Sequence, residues 1–320
     1  MNPLHDSLLR RLRERWKSYR RELKACRREF SEASVHESRV AARQLLATLE
    51  LLASLGKTAT QRRACRVLKR HLDLLSPLRD AQVQSQLSAH LRAAWPAQDN
   101  YQKFLRRQAK RAARRAENGV SQLKTHRLAK GVARFDRQLR RQDSASAPAD
   151  FQTLLTSAAR CFARARVAKA GLDAARPETI HRLRVTFKKF RYTVELLGPF
   201  LPELPADYLP ALRSYQGEMG DIQDLTVLLA NAAEFAEHEQ LPPAKTRAML
   251  REIERRRKRL IRRYLRHTGR LDTFWPLPLG RARSDNTAKN LKIEIRNPKA
   301  SQKPKAKNSR PPSPAGTSPP

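Results

Sequence analysis

Apolar residues recur every three or four positions along most of this chain, the spacing of one face of an α-helix. Leu8, Leu12, Trp16, Tyr19 and Leu23 form the first such stripe and predict a helix over residues 4–30. Ser31 and Ser34 offer caps for a second, over 35–52, which Gly56 ends. A third runs from Thr60 to Leu75, where Pro77 is expected to break it. A fourth covers 78–95, and a turn fills 96–100. Residues 101–141 read as two helices parted near Asn118-Gly119, with Phe104, Leu105, Ala109, Ala112, Leu123, Leu128, Val132, Phe135 and Leu139 as apolar positions. Residues 142–150, QDSASAPAD, show no period and read as a linker. Residues 151–170 start a second half. A loop over 171–177 leads to a helix that Gly198, Pro199, Pro202 and Pro205 close. Helices over 208–218, 221–239 and 245–270 follow, the last with Ile253, Leu260, Ile261, Tyr264 and Leu265 on its buried edge.

The helix within 180–200, IHRLRVTFKKFRYTVELLGPF, divides its faces most sharply. His181, Arg184, Lys188, Arg191 and Glu195 project within a stripe roughly 80° wide at about 100° per residue, with Tyr192 beside them. Leu183, Phe187, Phe190, Val194 and Leu197 take the opposite side. A helix that needed only solubility would mix acids into the polar row. This row has almost none before Glu195, so it suits an anion.

The same device occurs earlier in the chain. His36, Arg39, Val40, Arg43, Glu50, Leu51 and Leu52 match His181, Arg184, Val185, Lys188, Glu195, Leu196 and Leu197 at an offset of 145. At an offset of 144, Leu68, Lys69, Asp80 and Val83 match Leu212, Arg213, Asp224 and Val227. Two copies of a long unit predict a duplicated architecture with pseudo-twofold symmetry. Asp80 and Asp224 each fall near the expected start of a helix, where the dipole favours an acid, so they read as caps rather than catalytic acids.

H-x-x-R-V-x-x-[RK] in each half, R-Y-x-x-E in the second and a late L-x-x-x-x-D resemble the CHAD domain, the conserved histidine α-helical domain. The resemblance covers most of residues 4–270. It implies an all-α fold of two related helical bundles around a basic groove or pore, with inorganic polyphosphate as ligand. On that basis residues 1–275 form the CHAD domain: a first half over 1–141, the linker over 142–150 and a second half over 151–275. The first copy departs from the pattern: Gln44 and Leu46 stand where the second has Lys189 and Arg191. The ligand is therefore expected to lean on the second copy, with Arg11, Lys69 or the 101–141 block as compensation.

Charge sharpens the ligand class without choosing it. The 320 residues hold 67 Lys and Arg against 30 Asp and Glu, a formal net charge of +37 and a pI near 11.4. Such imbalance repels itself in a compact state, and a polyanion relieves it. Residues 101–141 carry 14 Lys and Arg against Glu117 and Asp136. Beyond 275 the chain is rich in Pro, Ser and Lys with few bulky apolar residues, so 276–320 is expected to be a disordered basic tail. Cys26, Cys65 and Cys161 are far apart and show no metal-ligand spacing, so buried thiols in a reducing cytoplasm are expected, with no metal or cofactor. No apolar signal core or run of 18 apolar residues occurs, which excludes a helical span. The expected location is the cytoplasm, and the resemblance adds polyphosphate granules.

Polyphosphate has a negative charge on every phosphate and no bases. Its receptor needs forked and point-charge donors rather than stacking platforms. Arg39, Arg43, Arg184, Lys188, Lys189 and Arg191 are the expected grips, and His36 and His181 assist. Tyr192 donates its hydroxyl or packs, and Glu50 and Glu195 orient neighbouring cations. Lys69 and Arg213, equivalent in the repeat, are second-rank candidates. The alternative is a helical protein that binds nucleic acid nonspecifically at low salt. Against it, aromatics are 6% of the chain and sit at apolar helix positions, without RNA- or DNA-recognition signatures. An enzyme is not expected: each stripe has a single Glu, with no Gly-rich phosphate loop and no E-x-E-x-K of the triphosphatase that sometimes accompanies CHAD domains.

Overall fold

The computed structural model describes residues 3–277 apart from 57, 90–97, 142–143, 202 and 240–242. Among the described residues there are α-helices and short 3-10 turns, and no strand. The α-helices are α1 (Pro3–Glu29), α2 (Glu32–Leu52), α3 (Ala59–Ala89), α4 (Gln98–Ser121), α5 (His126–Arg141), α6 (Ala147–Ala170), α7 (Pro177–Leu197), α8 (Tyr208–His238) and α9 (Pro243–Arg266). The fold is all-α, as expected from the periodicity.

Each helix exists because one stripe must leave water. Leu8, Leu12, Tyr19 and Leu23 of α1 are all buried. So are Leu45 and Leu49 of α2, Leu128, Val132, Phe135 and Leu139 of α5, and Leu183, Phe187, Phe190 and Val194 of α7. Each such side chain contributes about 1.5–3 kcal/mol on leaving water. One core draws on α1–α9 and on Leu271, Phe274 and Leu277. A second cluster joins Tyr101 and Leu105 of α4, Leu228 and Phe235 of α8, and Met249 and Ile253 of α9.

Neighbours follow chain order. Helix α2 packs on α1 and α3, α3 on α4 and α5, α7 on α6 and α8, and α8 on α9. Contacts of α2 with α7 and of α3 with α8 join the two series and bring both motif helices together.

Four expectations about breaks need correction. Helix α3 runs through Pro77. The bond that proline removes belongs to the Asp73 carbonyl, and both residues lie on the exposed face, where water reaches the freed oxygen. Helix α8 is continuous through Gly217 and Gly220, because burial of Leu212, Tyr215, Met219 and Ile222 outweighs about 1 kcal/mol of helix propensity lost per glycine. Asn118-Gly119 lies inside α4, and the chain breaks instead after Ser121. Gly119 is there for proximity: a Cβ would stand 2.5 Å from Leu74 Cδ2 of α3. Asp80 and Asp224 consequently sit in the middle of α3 and α8, so they cap nothing.

The region expected as a linker is partly helical, since α6 begins at Ala147. His5, fully buried in α1, meets Asp150 of that first turn at 2.8 Å. At the other end Leu277 is buried against the main core, so the packed chain reaches past residue 275. The expectation of a disordered tail concerns residues that, from 278 onwards, lie outside the described ones.

Candidate anion-binding site

The buried stripe of α7 fixes its rotation and turns the donor row away from the main core. The corresponding stripe of α2 does the same from the other side. Between them and α6 lies a cavity of about 810 Å³. Of the residues singled out from sequence, Arg43, Lys69, Arg184, Lys188, Lys189 and Tyr192 line it. His36, Arg39, His181, Arg191 and Arg213 do not.

Those five have other surroundings. Arg39 is buried and donates from Nη1 to the Leu72 carbonyl at 3.2 Å and to Ser76 Oγ at 3.3 Å. Arg191 donates from Nε to Gln216 Oε1 at 2.8 Å and from Nη1 to Glu195 Oε1 at 2.9 Å, with its guanidinium over the Tyr192 ring at 4.3 Å. Glu195 also accepts from Arg213 Nε at 3.0 Å. Glu50 pairs with Lys69 at 3.1 Å in the other half. The two glutamates therefore hold neighbouring cations, as their spacing suggested. His181 Nδ1 lies 2.8 Å from Gln223 Oε1, and His36 is exposed.

Arg184 is held differently from Arg39. On α8 it faces Gly220, whose absent Cβ would stand 3.7 Å from Nε. That Nε is buried without an acceptor among the described residues.

Positive charge is crowded here. Burial and then Arg43, Arg184, Arg191 and Arg39 push the Lys188 ammonium down to about 7. Burial, then Arg43, lowers Arg39 to about 10, and burial also lowers Arg43. Asp80 and Asp224 both feel Arg79 where α3 meets α8, and Asp224 also feels Asp80. Burial raises both, more than Arg39, Arg43 and Arg79 lower Asp80 and more than Arg184 lowers Asp224. Displaced protonation equilibria of this density mark functional sites more often than plain surface. Among the described residues no three His, Cys, Asp or Glu side chains gather to hold a metal ion.

The sequence reading missed two contributors. Thr153, Thr156, Ser157, Arg160 and Arg164 bring a polar face of α6 into the cavity. Their three- and four-residue steps opposite Leu154, Leu155, Ala158, Phe162 and Ala165 were a legible signal. Arg79, which acts on Arg39, Arg43 and both aspartates, had none, because the packing of α3 against both α2 and α8 brings it to the centre.

A family model described as the CHAD domain matches residues 8–233. Among solved structures, PptA from Streptomyces chartreusis superposes with a TM-score of 0.62 at 20% identity, covering 84% of this chain and 99% of that one. The crystal structure of the CHAD domain from the plant Ricinus communis superposes with a TM-score of 0.55 at 18% identity, covering 85% and 90% of the two chains. No curated protein matches the sequence.

Proposed function

Because the chain belongs to the CHAD domain family, we propose that it binds inorganic polyphosphate, without catalysis, in the cavity shared by α2, α6 and α7. The observation that carries this reading is the lining: Arg43, Lys69, Arg160, Arg164, Arg184, Lys188 and Lys189 converge there, and the acid among them, Glu50, is already paired with Lys69. Forked guanidinium groups and point-charge amines match phosphate oxygens, while a base would find Tyr192 as its aromatic partner among the described lining residues.

Within this reading Arg43, Arg184, Lys188, Lys189, Arg160 and Arg164 grip the chain directly. Arg39, Arg191 and Arg213 shape and charge the site from behind through their fixed bonds. His36 and His181 extend the track beyond the cavity. The motif helices are taken as halves of a duplicated unit, supported by the matching order of packing in α1–α4 and α6–α9. Residence at polyphosphate granules in the cytoplasm rests on the family alone. No helix among the described residues is long and apolar enough to cross a membrane.

The test is competition. Labelled long-chain polyphosphate is bound at near-physiological salt, and DNA or RNA of equal total charge is added. Polyphosphate should stay bound. Displacement charge for charge would instead establish nonspecific binding of any polyanion, nucleic acid included, because counterion release depends on charge density and not on phosphate chemistry.

A further inference from the structure

Lys188 lines the cavity together with Arg43 of α2, Arg184 of its own helix and Arg164 of α6, and the charges of Arg39 and Arg191 reach it from outside the lining. Its Nζ lies 6.0 Å from the Tyr192 ring. No carboxylate among the described residues pairs with it: Glu50 is held by Lys69, and Glu195 by Arg191 and Arg213. The other candidate nucleophile of the lining, Cys161, is pushed up by burial and kept as the thiol. An ammonium surrounded by like charge and shielded from water holds its proton loosely, down at about 7. An amine activated by desolvation and neighbouring cations is the usual form of a nucleophilic lysine. Two of the arginines that expel this proton, Arg43 and Arg184, are also among those read above as gripping phosphate.

We propose that Lys188 is a modification site, a nucleophilic amine that takes the acyl group of an acyl phosphate anchored in the cavity by its phosphate. The inference rests on the reading of the cavity as a phosphate site. In the reaction the neutral Nζ attacks the acyl carbon and an N–C bond forms. The C–O bond to phosphate breaks, phosphate departs with the electron pair, and the proton of the amine passes to solvent. No oxidant, reductant or metal enters the balance. The product is an uncharged amide in the middle of the arginine cluster, so acylation lowers the hold of the cavity on any polyanion.

Lys189 provides an internal reference, since it lines the same cavity but is exposed. The full chain is incubated near neutral pH with acetyl phosphate, and in parallel with the phosphate-free donor N-acetoxysuccinimide. Acetylation at each lysine is followed by peptide mass spectrometry. Acetyl phosphate should modify Lys188 at least tenfold faster than Lys189, because a fall from the ordinary 10.5 to about 7 raises the neutral fraction about a thousandfold and the weaker nucleophilicity of a less basic amine takes back only part of that gain. The preference should shrink with the phosphate-free donor, with Arg184→Gln, and on adding polyphosphate. Equal rates at the two lysines, or a preference that polyphosphate leaves untouched, overturn the proposal. Polyphosphate binding without a Lys188 preference sinks this inference alone. A Lys188 preference suppressed by inorganic phosphate, in a protein that fails to bind polyphosphate, sinks the functional reading alone.

Discussion

Arg39 and Arg184 occupy matching places on α2 and α7 yet differ in what they are free to do. Ser76 and the Leu72 carbonyl accept from Arg39 Nη1, whereas Gly220, at the position matching Ser76, leaves Arg184 Nε without an acceptor among the described residues. Gly220→Ser should supply one and draw Arg184 back. Polyphosphate affinity measured by titration calorimetry should then fall by about 1 kcal/mol, roughly fivefold, the usual worth of one hydrogen bond. Lys188 sets the pH response. Below about 7 it is already charged in the free protein, and above that binding must take up a proton. Affinity should be flat on the acid side and fall on the alkaline side, by at most about tenfold per unit for one proton. Lys188→Arg, charged throughout, should flatten the curve. His71 governs stability instead. It is buried beside Tyr19 Oη at 3.2 Å and Ser38 Oγ at 3.3 Å, and burial pushes it down to about 4. The unfolded chain takes the proton first, so its contribution is whole above the usual imidazole value and is lost as pH falls toward 4. Urea midpoints should drop over that window by an amount worth about 3 kcal/mol. His71→Gln should lack this part of the drop.

At the scale of elements, α6 separates a site built on two motif helices from one built on three. Arg160 and Arg164 line the cavity opposite α7. Replacing both by Ala should weaken polyphosphate binding by at least as much as Lys189→Ala, with little change in melting temperature, because both lie on the polar face. Unchanged affinity would place the ligand elsewhere. Helix α3 offers the complementary test of stability. Pro77→Ala restores a helix bond that proline cannot make, which is worth up to about 3 kcal/mol. The more flexible unfolded chain takes back about 1 kcal/mol. The urea midpoint should therefore rise. The periodicity of α1, α5 and α7 was legible because their apolar stripes bury as written. The continuity of α3, α4 and α8 was not legible, because Pro77, Gly119 and Gly220 look like breaks when only their sequence neighbours are considered. Their roles depend on exposed position, on Leu74 and on Arg184, which are tertiary facts.

For the whole molecule, the net charge of +37 is a standing repulsion that a polyanion relieves. Long-chain polyphosphate at about 100 times its dissociation constant should stabilise the folded chain by about 2.7 kcal/mol, raising the melting temperature by roughly 5 °C. Uncharged polyols should not reproduce the shift. By itself the sequence determined the helical fold, the two matching motifs, the family and the strong excess of positive charge. Each of these depends on the identities and spacing of residues close together on one helix. Only the tertiary structure decided which donors face the cavity and which are held by Glu50, Glu195, Gln216 or Ser76. It also made α6 a wall of the site, carried Arg79 and the two aspartates to the α3–α8 crossing, and loosened the proton of Lys188. Those outcomes depend on burial and on charges brought together from distant segments, and a linear pattern contains neither.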